Sequence, residues 1–327
     1  MNCAVNLEEI RWCNAIVRTG WMQAERNSTL SITVDVEDWY HVPSVCGSHF
    51  SVYKDVDDFF EHWKDRYDYL TEPTRRVLDL LDEFKVPATF FIVADIAENY
   101  PGLIESIAKR GHEIACHGIH HTCNINLKTK EPLMTIEEFE SNALKAKQVL
   151  EKVSGKEVIG YRAPNAAITG RMIDSLEKIG YKYDSSVSVN SLYNKTDSSL
   201  EGVTSSPYYP APGSLEPTEN RNFVEFPWAY YEKGIKIPAS GGPMLRFLGA
   251  NLILKGLKQS LKRGHTIFYF HPIDICNEKF PSIGNGRPLF WAIKGDIIEK
   301  RIRHILKNLK HVETVTLGDM LDNSHGT

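Results

Sequence analysis

Two short runs, Ala88-Thr89-Phe90-Phe91-Ile92-Val93 and Thr266-Ile267-Phe268-Tyr269-Phe270, carry apolar side chains with almost no polar alternation. A strand with one wet face alternates. One that does not alternate is covered on both sides, as in a parallel sheet flanked by helices. Between such runs lie stretches with helix signals. Val77, Leu78, Leu81 and Phe84 share a helical face that must end before Pro87. Thr135 and Glu138 form a capping box for a long helix to about Gly155, and the segment from Thr169 to Ile179 is closed by Gly180. Further helices are expected over 57–70, from near 101 to 111, over 245–262 and over 291–310. Further strands are expected over 112–116, 158–161, 181–184, 223–226 and 312–317. This strand–helix rhythm predicts an α/β fold with a parallel sheet inside and helices outside.

The stretch Leu30-Ser31-Ile32-Thr33-Val34-Asp35-Val36-Glu37-Asp38-Trp39-Tyr40-His41 opens that rhythm. Leu30, Ile32, Val34 and Val36 alternate with Ser31, Thr33, Asp35 and Glu37, so the two sets point to opposite faces of a strand. The run then ends in acids. Adjacent like charges repel and are costly to desolvate, so this cluster is a poor core element. It is either a solvated strand end or a set of ligands at the mouth of a barrel, where active sites of such folds lie. His117, Arg162, Asp184 and His271 also fall just past strand ends, so in a barrel they would share one rim with Asp35.

His117-Gly118-Ile119-His120-His121 sets two imidazoles four residues apart, His117 and His121. An H-x-x-x-H pair alone is a weak metal signal. Joined to an acidic strand end it becomes two histidines and a carboxylate, which leaves positions for water and substrate. His120 reads as a bystander. Arg162, in Tyr161-Arg162-Ala163-Pro164-Asn165, presents a rigid fork that suits a carboxylate and would keep a catalytic base ionised. A surface arginine before a turn proline is the plainer reading. His271, ahead of Pro272, has the chemistry of a general acid or of a strand cap. Asp184-Ser185-Ser186 would orient a histidine, line a groove, or form a simple Asx turn.

In this order, the Asp-rich strand, H-x-x-x-H, R-x-P, D-S-S and late strand-His-Pro resemble the five motifs of the NodB-type polysaccharide deacetylases, carbohydrate esterase family 4. The likeness runs from about Leu30 to the final helix. In Asp35-Val36-Glu37-Asp38-Trp39-Tyr40-His41 it is similar to the branch found in exopolysaccharide, capsule and peptidoglycan loci. The resemblance implies a distorted (β/α) barrel, often of seven strands, and metal-assisted hydrolysis of an acetamide. It implies Zn²⁺ or another divalent metal held by His117 and His121, Asp35 as general base, Arg162 as its tether, and His271 as the acid that Asp184 helps to hold. The family commonly has base and ligand adjacent, whereas Val36 follows Asp35 here. The third ligand is therefore Glu37 or Asp38. Strand period favours Glu37, and a break in the strand would turn Asp38 inward. The implied substrate is an N-acetylated glycan. An allantoinase-like hydrolase on the same fold and a non-catalytic glycan binder are the alternatives.

The chain has 327 residues and a net charge of −4, with no dense basic face, which argues against nucleic acid as a partner. No run reaches the roughly 18 apolar residues of a membrane span. Residues 1–29 read as an extension, 30–322 as a single barrel domain, and 190–222 as a long loop whose Tyr193, Tyr208 and Tyr209 are candidates for stacking on sugar rings. Six cysteines without C-x-x-C spacing suit free thiols in a reducing compartment, and the lead-in lacks the apolar core of a secretory signal, so a cytoplasmic protein is expected. Oligomeric state is not encoded in any of these features.

Overall fold

The computed structural model describes residues 28–324, except 49–50, 65–66, 127, 220, 282 and 284–288. The core is a parallel sheet built from eight strands: β1 (Thr29–Val36), β2 (Ala88–Ile92), β3 (Glu113–Cys116), β4 (Gly160–Tyr161), β5 (Tyr183–Asp184), β6 (Val224–Glu225), β7 (Thr266–Phe270) and β8 (Glu313–Thr314). The hydrogen-bonded path runs β7-β1-β2-β3-β4-β5-β6, and β8 pairs with the start of β1. The helices are α1 (Val56–His62), α2 (Thr71–Phe84), α3 (Ile96–Asn99), α4 (Leu103–Lys109), α5 (Ile136–Ser154), α6 (Gly170–Lys178), α7 (Gly242–Leu261), α8 (Asp296–Leu309) and α9 (Leu317–Ser324). Among the described residues no helix is long and apolar enough to cross a membrane.

The sheet is a curled half-barrel rather than a closed one, for among the described residues no ladder joins β6 to β7. Side chains and a crossing segment fill the seam instead. The rings of Trp228 and Tyr269 lie 4.5 Å apart, and those of Phe226 and His265 lie 5.8 Å apart. The Tyr269 amide donates to the Ser240 hydroxyl at 2.7 Å, and the Gly241 amide donates to the Tyr269 carbonyl at 3.0 Å. Curling explains the composition of β1. Leu30, Ile32, Val34 and Val36 are buried as expected, but so are Ser31, Thr33 and Asp35 on the other face. The polar face looks into the half-barrel, where hydroxyls and a carboxylate find partners that lipid-like side chains would not supply. At β4 the sheet is drawn so tight that a Cβ on Gly160 would sit 2.0 Å from the ring of Tyr183, so only glycine fits there.

Some segments differ from the expectation of periodicity. Helix α1 stops at His62 instead of reaching residue 70, because Trp63 turns extended at φ −108° and packs on Trp39. The aromatic spacing of Phe59 and Trp63 encodes a cluster around Trp39, which Tyr69 and Trp291 join, rather than a continuous helical face. The helix expected over 291–310 is α8 and starts at Asp296, after Gly295 at φ +74°, and the segment from Leu289 to Ala292 is a separate 3-10 turn. Strand β8 covers only Glu313–Thr314 before α9 begins. Cys46, Cys116, Cys123 and Cys276 are free and buried. Cys3, Cys13 and the extension up to residue 27 lie outside the described residues.

Candidate active site

The strand ends converge on a cavity of about 270 Å³ lined by Asp35, Glu37, His117, His121, Arg162 and His271, among others. Asp35 and Glu37, two apart on β1 and its extension, point to the same side. Glu37, His117 and His121 each bring a ligand atom within 4.8 Å of the others. Both imidazoles are oriented from behind. The Nδ1 of His117 donates to the Arg162 carbonyl at 2.8 Å, and the Nδ1 of His121 donates to the His41 carbonyl at 2.9 Å. With those protons committed, each neutral ring presents the Nε2 lone pair to the cavity, the orientation metal-ligating histidines take. Burial lowers the His117 pKa to about 4, against the pull of Asp35, so the ring is neutral near pH 7.

A metal fits this donor set on its own chemistry. Glu37 Oε2 is buried and has no hydrogen-bond partner, yet it sits 2.7 Å from the Nε2 of His121. In the tautomer set by the His41 carbonyl, that contact places one lone pair against another. A metal bound by both, or a second proton on the ring, relieves that contact, so the pair is suited to hold a cation. Burial would raise the Glu37 carboxyl, but His121, His271 and His117 hold it well below the usual carboxylate range.

Asp38 stands outside this set. Its Oδ1 accepts from the Trp39 amide at 2.7 Å and caps the short 3-10 turn Trp39–His41, while its other oxygen accepts from the Tyr100 hydroxyl. Burial raises its pKa to about 6. Of the two residues left open by the strand, Glu37 faces the histidines and Asp38 faces an aromatic pocket on the far side. His120 is also apart from the trio; its Nδ1 meets Asp95 at 3.2 Å, and Asp95 also pairs with His41.

On one flank of the trio, Arg162 is fully buried and grips Asp35, donating to Oδ1 at 2.6 Å and to the Thr33 hydroxyl at 2.9 Å. Its other nitrogens donate to the carbonyl and the hydroxyl of Ser185, each at 2.8 Å, and the guanidinium lies 4.0 Å from the Phe91 ring centroid. Asp35 Oδ2 is left toward the cavity, 4.0 Å from the Nε2 of His117 and 3.9 Å from that of His271. On the other flank, the Nε2 of His271 is 3.3 Å from Glu37 Oε1, and its Nδ1 is 3.0 Å from Asp274 Oδ2. Burial alone would lower the His271 pKa; Asp274, Glu37 and Asp35 outweigh it and raise it to about 9. Asp274 is itself paired with the buried Arg246 of α7.

Asp184 therefore does not hold His271. It lies behind the site, where its two oxygens accept from the Ser186 hydroxyl and amide, each at 2.9 Å. Ser186 in turn accepts from the Ala163 amide, so Asp184 braces the two loops that carry Arg162 and Ser185. Beside it, burial and the neighbouring Asp184 push the Glu225 carboxyl well up, and burial takes Asp184 to about 6. Asp274 was not singled out from the sequence. Its signal was present: an acid three residues after His271, across a proline turn, is placed to accept both the backbone and the ring of that histidine.

Residues 57–183 match the family model for polysaccharide deacetylase. That region is similar to polysaccharide deacetylase domains. A second match, to a domain of unknown function (DUF3473), covers residues 193–317. Among curated relatives, the chain is 31% identical over 109 residues to a peptidoglycan-N-acetylglucosamine deacetylase of Bacillus cereus, covering 33% of this chain and 47% of that protein. It is 30% identical over 137 residues to a peptidoglycan deacetylase of Helicobacter pylori, covering 38% of this chain and 44% of that protein. The chain thus spans less than half the length of these two relatives. A candidate polysaccharide deacetylase from Mycobacterium smegmatis superposes with a TM-score of 0.61 at 20% identity, over 93% of this chain and 92% of that one. An allantoinase superposes with a TM-score of 0.57 at 14% identity, over 94% and 96%. Both likenesses establish the fold alone.

The deacetylase match contains His117, His121 and Arg162 but not Asp35 or Glu37, which precede it, nor His271 and Asp274, which fall in the second match. Strands β6, β7 and β8 also come from the second region, and β7 pairs with β1 over Leu30–Val34. The candidate site is thus assembled from both regions and from the strand ahead of them.

Proposed function

We propose that the protein is a metal-dependent hydrolase that removes acetyl groups, most simply from nitrogen, from an amino-sugar polymer or its precursor, with exopolysaccharide and cell-wall glycans as the substrate classes in view. The observation that carries this reading is the Glu37–His117–His121 trio flanked on one side by Asp35 on Arg162 and on the other by His271 on Asp274. Curated relatives named for peptidoglycan and for chitooligosaccharide support an amino-sugar glycan as the class. Zn²⁺ or another divalent ion would be held by Glu37, His117 and His121, and when bound it supplies Lewis acidity for the acetyl carbonyl and for water.

The chain's own residues supply the rest. Arg162 fixes Oδ1 of Asp35 by a hydrogen bond, which leaves Oδ2 as the basic atom facing the cavity. A water placed there loses its proton to Oδ2. The water oxygen adds to the acetyl carbon, the carbon–nitrogen bond breaks with acetate as the other product, and the departing amine takes a proton from Nε2 of His271, whose opposite nitrogen Asp274 holds. Burial of the whole set strengthens each of these interactions. Asp184 acts only through Ser186 and the loop that positions Arg162.

The test is acetate release from an N-acetylglucosamine oligomer by zinc-loaded protein, followed with metal analysis. Acetate production that requires about one metal per chain is expected. A protein that binds the metal and the oligomer but releases no acetate would be a binding module, and the hydrolase reading would be dropped.

A further inference from the structure

The cavity holds one cation that the chemistry above leaves unused. Lys195, in the segment that follows β5, lines the same cavity as the metal trio and is half-buried there. Three carboxylates face this space, and each is already answered. Asp35 is held by Arg162, Asp274 by Arg246, and Glu37 by the imidazoles of His121 and His271. Lys195 has no carboxylate partner among the described residues. Its Nζ donates to the Asn165 carbonyl at 2.9 Å and lies 5.2 Å from the ring of Tyr193. Asn165 also lines the cavity, and both Asn165 and Ala166 are held at positive φ, 59° and 58°. Residues rarely adopt that region without cause, and such backbone collects at ligand sites. Lys195 therefore sits on the turn after Arg162, its ammonium bonded to the Asn165 carbonyl in the wall of the cavity.

We infer that Lys195 is a specificity residue for an anionic substituent on the sugar beside the one that carries the acetamide. This rests on the hydrolase reading above, and it deepens it by naming the charge of the substrate. With a divalent cation added to the trio the cavity gains positive charge, and a neutral glycan would leave Lys195 desolvated against a carbonyl alone. An anion on the glycan completes the pairing. A lysine is a point charge and does not select geometry, so carboxylate and phosphate are both served. Of the loop tyrosines, Tyr208 is buried with its hydroxyl on the Leu215 carbonyl and Tyr209 lies in a small ribbon with Thr218, while Tyr193 is exposed and its ring lies beside Lys195, so Lys195 supplies the charge at this part of the loop.

The experiment compares zinc-loaded wild type, Lys195→Met and Lys195→Arg on three substrates. These are a neutral N-acetylglucosamine oligomer, an oligomer in which hexuronate alternates with N-acetylglucosamine, and one that carries a phosphate on the neighbouring sugar. Lys195→Met should lower kcat/KM on an anionic substrate by about tenfold or more, as loss of a charge-assisted hydrogen bond does. The neutral substrate should change by no more than about twofold, and Lys195→Arg should keep the preference. The anionic substrate with the larger loss identifies the group recognised. An equal loss on neutral and anionic substrates would overturn the inference and leave Lys195 as a clamp on Asn165. If wild type released acetate from none of the three, the hydrolase reading would fail by itself. Lys195 would then be tested by equilibrium binding of the hexuronate oligomer, where an affinity unchanged in Lys195→Met would reject it.

Discussion

The two histidines beyond β3 and the one beyond β7 face a single cavity, yet the fold gives them opposite states. His117 and His121 rest their Nδ1 atoms on backbone carbonyls, and burial holds His117 neutral with a pKa of about 4. His271 rests its Nδ1 on Asp274, and there the carboxylate overrides burial and lifts the pKa to about 9. A carbonyl can accept a proton's hydrogen bond but cannot stabilise a full positive charge as a carboxylate does. In the proposed mechanism one residue type would thereby serve as a ligand on one rim and as a proton donor on the other, and the group behind the ring would decide which. His271 is the more exposed of the three, yet burial still acts to lower its pKa, so it is the carboxylate behind the ring that sets it apart.

The contrast breaks most completely if a ligand is removed. Glu37→Ala or His117→Ala should lose bound metal and lower turnover by about a thousandfold or more, since several kcal/mol of charge stabilisation goes with the ion. Asp38→Asn should keep the metal, because Asp38 serves Trp39 and Tyr100. Metal content of the purified variants, read beside acetate release, checks this. A metal-free Asp38→Asn beside a metal-bound Glu37→Ala would reverse the ligand assignment.

Next in size is the base. Asp35→Asn keeps the shape and a partner for Arg162 but cannot take a proton, and a loss on the order of 10²–10⁴ is expected. Metal should remain bound, since Asp35 lies outside the trio. Near-normal turnover in a metal-loaded Asp35→Asn protein would mean that another group activates water.

A smaller and more selective effect is expected at the carboxylate behind the acid. Asp274→Asn removes the charge that outweighs burial at His271, so the His271 pKa must fall. The acid is needed protonated, so the basic limb of kcat/KM against pH should move to lower pH, with a loss of about tenfold below that limb. The variant also removes the charge of a buried ion pair with Arg246, which lowers stability. The position of the limb is the readout, because lost stability alone does not shift it. An unmoved limb would assign that ionisation to a group other than His271.

How much of this was legible in the sequence depends on the distance over which each signal acts. The strand–helix order and the residues just past the strand ends follow from local pattern, so Asp35, His117, Arg162 and His271 could be named, and they meet at one cavity. The choice between Glu37 and Asp38 turned on one dihedral step at the end of β1. It is resolved only by the Tyr100 hydroxyl, which lies 62 residues away and takes Asp38 to the other side. Asp184 was misread because a carboxylate in D-S-S looks the same whether it faces the rim or braces Ser186 behind it. Lys195 and Arg246 were missed for a related reason. They come from a loop and a helix whose placement against the rim is set by the seam between β6 and β7, a feature with no periodic signature. The aromatic spacing over 57–70 misled because a cluster around Trp39 and a helical face use the same residues.

The smallest expected effect concerns a histidine outside the site, and it isolates the burial part of the contrast. His265 lies beside the seam, 7% exposed, with Nδ1 2.8 Å from the Thr29 hydroxyl and Nε2 buried without a partner. No carboxylate acts on it, and burial takes its pKa down to about 3. In the unfolded chain the ring titrates near the ordinary value of about 6.5. Between those values the unfolded state binds the proton that the folded state refuses. The contribution of the neutral ring is therefore fully present above about pH 6.5 and is lost as pH falls toward 3. Linkage makes the loss about 2 kcal/mol between pH 7 and pH 5. His265→Gln keeps a group able to pair with Thr29 but cannot titrate. Denaturant unfolding of both proteins at pH 7 and pH 5 should show the wild type losing about 2 kcal/mol more than the variant. Acetate release at pH 7 should be alike in the two. Equal acid sensitivity would mean that His265 is hydrated or paired in solution, and the rule that burial without a carboxylate keeps a histidine neutral would no longer account for His117 either.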